Sequence, residues 1–261
     1  MQRRRGILVP ILLAALVGAP AALAPVAPSA AVVSAADAAK PFRVDLADRN
    51  DFVPQVNFVQ CVGASMQMML NIMGDADRTT RTQGRLQDIA RDLSGPTREG
   101  FRRQGASIRG WTAGLNLLDA GPYRIVGTDT LQEALRLAAR SIRETGKPVG
   151  LLVWSGRHAW VMSGFQATAD PRRTTNFKVT RAIVLDPLYP YGSSRWGPSP
   201  KPRESISTAT LGKQFVPRRR GTWAGAPTGT NAGSLSAFGG KYVIMMAYNP
   251  IAFARDRHVA A

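Results

Sequence analysis

Apolar residues recur at helical spacing in several stretches of the first half of the chain. In CVGASMQMMLNIM, residues 61–73, they fall mostly three and four positions apart, and Gly74 follows. This pattern predicts an amphipathic helix with a C-terminal stop and with Cys61 at or just inside its N-terminus. Three more helices are predicted in RLQDIARDL, ASIRGWTAGLNLLD and TLQEALRLAARSIRETG, the last opened by a capping box at Thr130 and ended by Gly146.

The second half of the chain has strand patterns instead. Apolar runs at 149–154, 159–166, 177–185 and 241–248 alternate with turn-forming residues and predict strands. These strands would form an antiparallel sheet or half-barrel on which the N-terminal helices pack. We therefore predict an α+β fold with helices first and strands later.

The first 38 residues have the layout of a secretory signal peptide and a linker. Three arginines precede an apolar run, and small residues follow with candidate cleavage sites after Ala24, Ala35 and Ala38. The apolar run is broken by Pro10 and is short for a spanning helix, which needs about 20 apolar residues. An uncleaved membrane anchor is the alternative. We expect a secreted protein in which residues 39–261 form a single domain.

The charge of the chain restricts its partners. Removing Arg3, Arg4 and Arg5 lowers the formal charge from +17 to +14. Such a basic protein favours anionic partners, which outside a cell would be cell-wall or membrane-surface polymers. A solvated basic surface without a specific partner is the alternative. No nucleic-acid-binding motif accompanies the charge, so we expect no nucleic-acid partner.

Cys61 is the only cysteine of the chain, which excludes an intramolecular disulfide. It could be a buried inert residue, an intermolecular bridge or a reactive nucleophile. A helix N-terminus stabilises a thiolate through its dipole and its unpaired N–H groups. This position favours the nucleophile, provided that a base can reach the thiol.

The chain has two histidines from which to choose that base. His258 lies in the C-terminal tail, whereas His158 is predicted to open a core strand after a turn at Ser155 and Gly156. A strand holds a general base rigidly, which favours His158. A buried structural histidine is the alternative for this residue.

A third group usually fixes the orientation of an imidazole that acts with a thiol. Asp186 ends the next predicted strand, directly before Pro187, and is our choice for this role. Asp170, in a turn, and Asn176, at the start of the strand, are rivals. A turn-forming aspartate before proline is the structural alternative for Asp186.

In this order the residues resemble the papain-like cysteine peptidase superfamily, in particular the branch of the double-glycine leader peptidases that mature bacteriocins. Members have a Gln shortly before a Cys that opens a helix, a His that begins a strand, and an Asp-Pro pair that ends the next strand. The matching residues here are Gln55, Cys61, His158 and Asp186. The resemblance implies a papain-like fold and a peptide or protein substrate, with Gln55 and the backbone N–H of Cys61 as the oxyanion hole. Gln60 is a rival donor.

The chain departs from this family beside the cysteine. Members commonly have Asp-Cys-Gly, whereas this chain has Gln60-Cys61-Val62 and a glycine only at Gly63. Two other functions therefore stay open. One is a non-catalytic protein of the same fold that binds anionic polymers, and the other is a wall-peptide amidase or transglutaminase-like acyl transferase.

No cofactor is expected, and the chain should be a monomer. Two histidines and one cysteine cannot supply a usual zinc site, and no nucleotide-binding glycine pattern is present. Residues 188–240 are rich in Pro, Gly and Ser and predict a long excursion between two strands. Its arginines and its aromatic residues could line the cleft, or the segment could be a surface loop anchored by those aromatics, which are Tyr189, Tyr191, Trp196, Phe215 and Trp223.

Overall fold

An antiparallel sheet is the centre of the α+β fold in the computed structural model, which describes residues 40–95, 104–220 and 237–249. Its seven strands are β1 (Phe42–Asp45), β2 (Tyr123–Thr128), β3 (Val149–Val153), β4 (His158–Ala167), β5 (Val179–Leu185), β8 (Glu204–Ser207) and β9 (Tyr242–Ala247). Two short strands, β6 (Gly192–Ser193) and β7 (Gly197–Pro198), form a separate ribbon. The spatial order of the main sheet is β2-β9-β3-β4-β5-β8, and β1 pairs with the second half of β4, beyond the end of β3.

Helices cover both faces of this sheet. They are α1 (Cys61–Met73), α2 (Thr80–Asp92), α3 (Ile108–Leu117), α4 (Leu131–Thr145) and the short α5 (Thr208–Gly212). One core joins α1, α2 and α3 to one face of β3 and β4, where Leu152 and Val161 lie. A second core joins α4 to the opposite face, where Leu151 and Trp160 lie. The central strands β3, β4 and β9 are largely apolar because they are buried on both sides.

The four predicted strands are confirmed within two residues at each end. The predicted order of helices first and strands later is wrong, because β1 precedes α1 and β2 lies between α3 and α4. FRVD is a run of four residues, and YRIVGT has no regular alternation, so neither carries a clear strand signal. Their pairing gives them their structure: β2 is bonded to β9 along its whole length.

The helix that begins at Cys61 packs tightly because of Gly63. A Cβ atom at Gly63 would lie 2.8 Å from the backbone oxygen of Gln83 and 2.8 Å from Cβ of Gln87, both on α2. The absence of a side chain therefore lets α1 and α2 approach closely. On the other side of α1, the Ser65 hydroxyl donates to the backbone oxygen of Ala159 at 3.3 Å, which connects α1 to β4.

Part of the predicted 188–240 excursion is integrated into the fold. It contributes β8 to the edge of the sheet beside β5, and α5 packs behind that strand. Phe215 is fully buried, whereas Tyr191 is 69% exposed. Trp223 lies outside the described residues, as do the predicted leader at 1–38 and His258. Within the described ranges, no helix is long and apolar enough to span a membrane.

Candidate active site

The first helix presents Cys61 at its N-terminus, as predicted. Gln60 is the N-cap residue, and its backbone oxygen accepts the N–H of Ala64 at 3.0 Å. Cys61 is half-buried, whereas Val62 behind it is packed into the core. The nucleophile candidate therefore stands at the positive end of the helix dipole with its side chain accessible.

A buried histidine–carboxylate pair lies on the neighbouring strands. His158 is the first residue of β4 and Asp186 directly follows the last residue of β5, and the two side chains are 4% and 0% exposed. His158 Nε2 lies 2.7 Å from Asp186 Oδ1. The rivals lie elsewhere: Asp170 is paired with Arg143, and Asn176 lies in a turn. The structure thus joins His158 to the carboxylate that the sequence favoured.

Asp186 is fixed by the backbone that follows it. Its Oδ1 also accepts the N–H of Leu188 at 2.9 Å, and its backbone oxygen accepts the N–H of Tyr189 at 3.1 Å. This is the Asx-turn geometry that aspartate favours. The sequence left two alternatives for Asp186, a residue that forms a turn and a residue that orients His158. The same carboxylate does both.

Cys61 is a neighbour of the same imidazole, because it is among the groups that raise the pKa of His158. Because Nε2 is bonded to Asp186, Nδ1 is the nitrogen left for the thiol. Burial disfavours the charged ring, but hydrogen bonds to Asp186 and to Cys61, together with their negative charges, outweigh burial and raise the pKa of His158 to about 9. A ring with a proton on each nitrogen can donate to the carboxylate and to a thiolate at once.

The indole of Trp154 covers the imidazole. The two rings are stacked with centroids 4.2 Å apart and planes 24° apart. Trp154 has φ of 55°, a left-handed conformation that is unusual for a bulky residue. Gln214 holds it there: its backbone oxygen accepts the Trp154 backbone N–H, and its side-chain oxygen accepts the indole N–H, both at 2.9 Å. An aromatic face also favours a cationic ring above it.

Trp154 and Gln214 were not predicted from the sequence. Trp154 looks like the last residue of a buried strand, and Gln214 lies in the predicted excursion, 60 positions away. The only available signal for either residue was the Trp-Ser-Gly turn one residue before the candidate catalytic histidine.

Gln55 reaches the site through its backbone. Its N–H donates to the oxygen of Pro187 at 2.8 Å, which brings it beside the Asp186 turn. Its side-chain Nε2 donates to the backbone oxygen of Asn57 at 2.8 Å. An amide nitrogen carries two hydrogens, so the second can donate to another acceptor. The side-chain oxygens of Gln55 and of the rival donor, Gln60, are both buried without a hydrogen-bond partner among the described residues, so this feature does not separate the two.

Two buried glutamines of α2 hold the segment that precedes Cys61. Gln83 accepts the N–H of Val56 at 2.8 Å and donates to the oxygen of Pro54 at 2.9 Å. Gln87 donates to the backbone oxygen of Val59 at 3.2 Å and also accepts the N–H of Gly63, in the first turn of α1, at 2.9 Å. Sequence reasoning missed both residues, although two glutamines four positions apart in the apolar stripe of a helix were a usable signal.

The gathered groups are of the kinds that carry out acyl transfer by a thiol: a cysteine at a helix N-terminus, an imidazole and a carboxylate. Over the described ranges, no cluster of three or more His, Cys, Asp or Glu side chains could hold a metal ion. In comparisons with known proteins, no family model matches the sequence, and no curated protein matches it.

Proposed function

We propose that this protein is a secreted thiol hydrolase of papain-like fold that cleaves peptide bonds with Cys61, His158 and Asp186. The observation that carries the proposal is the 2.7 Å bond between His158 and Asp186, on a ring whose pKa the neighbouring Cys61 also raises. The three groups have the relation of nucleophile, base and orienting carboxylate. The signal peptide predicted from the sequence of residues 1–38 supports secretion.

In the proposed reaction, the resting pair is a thiolate and an imidazolium, with the proton from the thiol on Nδ1 of His158, and the Cys61 thiolate attacks the carbonyl carbon of the substrate. The protonated ring then donates its proton to the departing amine as the C–N bond breaks, which leaves a thioester on Cys61. His158 next removes a proton from water, which attacks the thioester and releases the acid and the thiolate. Asp186 holds Nε2 and stabilises the ring whenever it is charged.

The oxyanion would form beside the start of α1. The N–H of Gly63 is already bonded to Gln87, so we assign the backbone N–H of Cys61 as one donor. The remaining amide hydrogen of Gln55 is the proposed second donor, because the bond from Gln55 to Pro187 keeps this residue at the site.

The test measures cleavage of a mixed peptide library by mass spectrometry, alongside labelling with a thiol-directed epoxide. The chain has one cysteine, so any label reports on Cys61. Cys61→Ala should abolish cleavage and labelling, and His158→Ala should reduce both by at least about 100-fold. His258→Ala is the matched control and should behave like the wild type. Labelling at neutral pH that is unchanged in His158→Ala would contradict an activated pair.

The same groups would also serve an amidase of wall peptides or an acyl transferase. The thioester is common to all three reactions, and only the substrate or the acceptor that resolves it differs. Adding wall peptides and a primary amine to the same assay separates these reactions. Hydrolysed peptide would support the proposed peptidase, whereas a product linked to the amine would show that the protein is an acyl transferase.

A further inference from the structure

The turn that precedes His158 also borders a cavity. The cavity has a volume of about 460 Å³ and is lined by Ser155, Arg157, Arg195, Trp196 and Arg219. Arg157 is the residue directly before His158, and Ser155 directly follows Trp154, whose ring stacks on His158. Residues bonded in sequence have Cα atoms about 3.8 Å apart, so the rim of the cavity adjoins the candidate active site.

The cavity is positively charged. Three of its five lining residues are arginines, all of them exposed, and none is acidic. Across the described segments, arginine ion pairs are formed by Arg91, Arg143 and Arg203, and not by the arginines of this cavity. Three like charges around one space repel one another, so an anion placed among them would be attracted by each.

Local contacts give the cavity defined walls. The guanidinium of Arg195 lies over the ring of Trp196, 5.1 Å from its centre. The backbone N–H of Arg219 donates to the oxygen of Ser155 at 3.2 Å, which connects the two sides. Ser155 has φ of 56° in the same left-handed turn as Trp154. Residues in this conformation are strained and cluster at functional sites.

We propose that this cavity, named here the arginine cavity, binds a carboxylate of the substrate beside the bond that is cleaved. The inference rests on the proposed function, because carboxylates are the anionic groups that an unmodified peptide carries. Guanidinium groups bind carboxylates through paired N–H donors and stay charged at every relevant pH. The carboxylate can come from an acidic side chain or from the C-terminus of the peptide.

The experiment compares matched peptides as substrates. In the first set of pairs, one position near the cleaved bond at a time carries either Glu or Gln. In a further pair, the peptide ends in either a free carboxylate or an amide. The preferred carboxylate should raise kcat/KM by about 10-fold over its neutral partner, and the pair that responds identifies its source. The preference should shrink as salt is raised from 0.05 to 0.5 M, by about half or more.

Substitutions then show which arginines cause the preference for the carboxylate. Arg157→Gln, Arg195→Gln and Arg219→Gln should each reduce the preference several-fold, with kcat/KM falling more for the carboxylate peptide than for its neutral partner. Arg85→Gln, an exposed residue of α2, removes the same charge elsewhere and should leave the preference intact. A preference that is absent in the wild type, or equally reduced by Arg85→Gln, would overturn the inference while peptide cleavage still stands.

Binding separates this inference from the proposed function. If the wild type cleaves no peptide, the proposed function fails, and the Cys61→Ala protein is titrated calorimetrically with the same pairs. Tighter binding of the carboxylate peptide, lost in Arg157→Gln, would still support the arginine cavity. Equal binding of charged and neutral peptides would overturn it.

Discussion

At the scale of single residues, the proposed chemistry depends on the charge state of one ring. His158 is buried among groups that favour its protonated form, and its raised pKa of about 9 keeps it charged at neutral pH. A charged ring is the proton donor that the leaving amine requires. Activity should therefore fall as the pH rises through about 9.

Asp186 should control the pH at which activity falls on the alkaline side, called here the alkaline limit. Asp186→Ala removes a hydrogen bond and a charge that raise the pKa of His158, so burial should then lower that pKa and move the limit to lower pH. The value of kcat should fall by about 100-fold or more. Asp186→Asn keeps an acceptor oxygen and should be intermediate. The pH profiles of kcat for the three proteins test this, and superimposable profiles would contradict it.

Trp154 should act through the position of the ring rather than by contact with substrate. Trp154→Ala removes the stacking on His158 and the hydrogen bond from the indole N–H to Gln214. Trp154→Phe removes only that hydrogen bond. We expect kcat to fall about 10-fold in the first variant and about twofold in the second, with a shifted pH profile in the first. A change in KM alone, with kcat and the profile retained, would contradict a positioning role.

At the scale of elements, the close approach of α1 and α2 fixes the position of Cys61. Gly63→Ala would place a methyl group 2.8 Å from two atoms of α2, so the helices must separate. We expect a loss of about 1–3 kcal/mol in the free energy of unfolding and a slower labelling of Cys61.

A matched glycine gives the control for this prediction. Gly84, within α2, has no atom within 4 Å of a Cβ placed on it. Gly84→Ala should raise the free energy of unfolding by about 0.5–1 kcal/mol through helix propensity. Urea unfolding of both variants is the measurement, and a neutral Gly63→Ala would show that α1 and α2 tolerate a wider separation.

The elements also show what the sequence could predict. Long amphipathic helices and doubly buried strands were recognisable because their periodicity reflects burial. β1 and β2 were missed because short strands depend on partners that are remote in sequence, such as β9 for β2. Asp186 was found because it lies directly after a strand, whereas Gln214 and the arginine cavity depend on chain segments that only folding brings together.

At the scale of the whole molecule, the interactions of His158 with Asp186 and Cys61 should make the free energy of unfolding depend on pH. A pKa above the ordinary 6.5 means that the folded protein binds this proton more tightly than the unfolded chain does. The resulting stabilisation is fully present below pH 6.5 and is lost as the pH rises through about 9. Between those limits the free energy of unfolding should fall more steeply in the wild type than in His158→Gln. Parallel curves from urea unfolding at pH 6 to 10 would contradict this.

The most direct test of the account is a nuclear magnetic resonance titration of His158. With two histidines in the chain, His258→Ala leaves a single imidazole signal to follow from pH 5 to 10.5. We expect a midpoint near pH 9, and a lower midpoint when Cys61 is also replaced by Ala, because Cys61 contributes to the raised pKa of His158. A midpoint at or below 6.5, or one that Cys61→Ala leaves unchanged, would contradict the proposed thiolate–imidazolium pair.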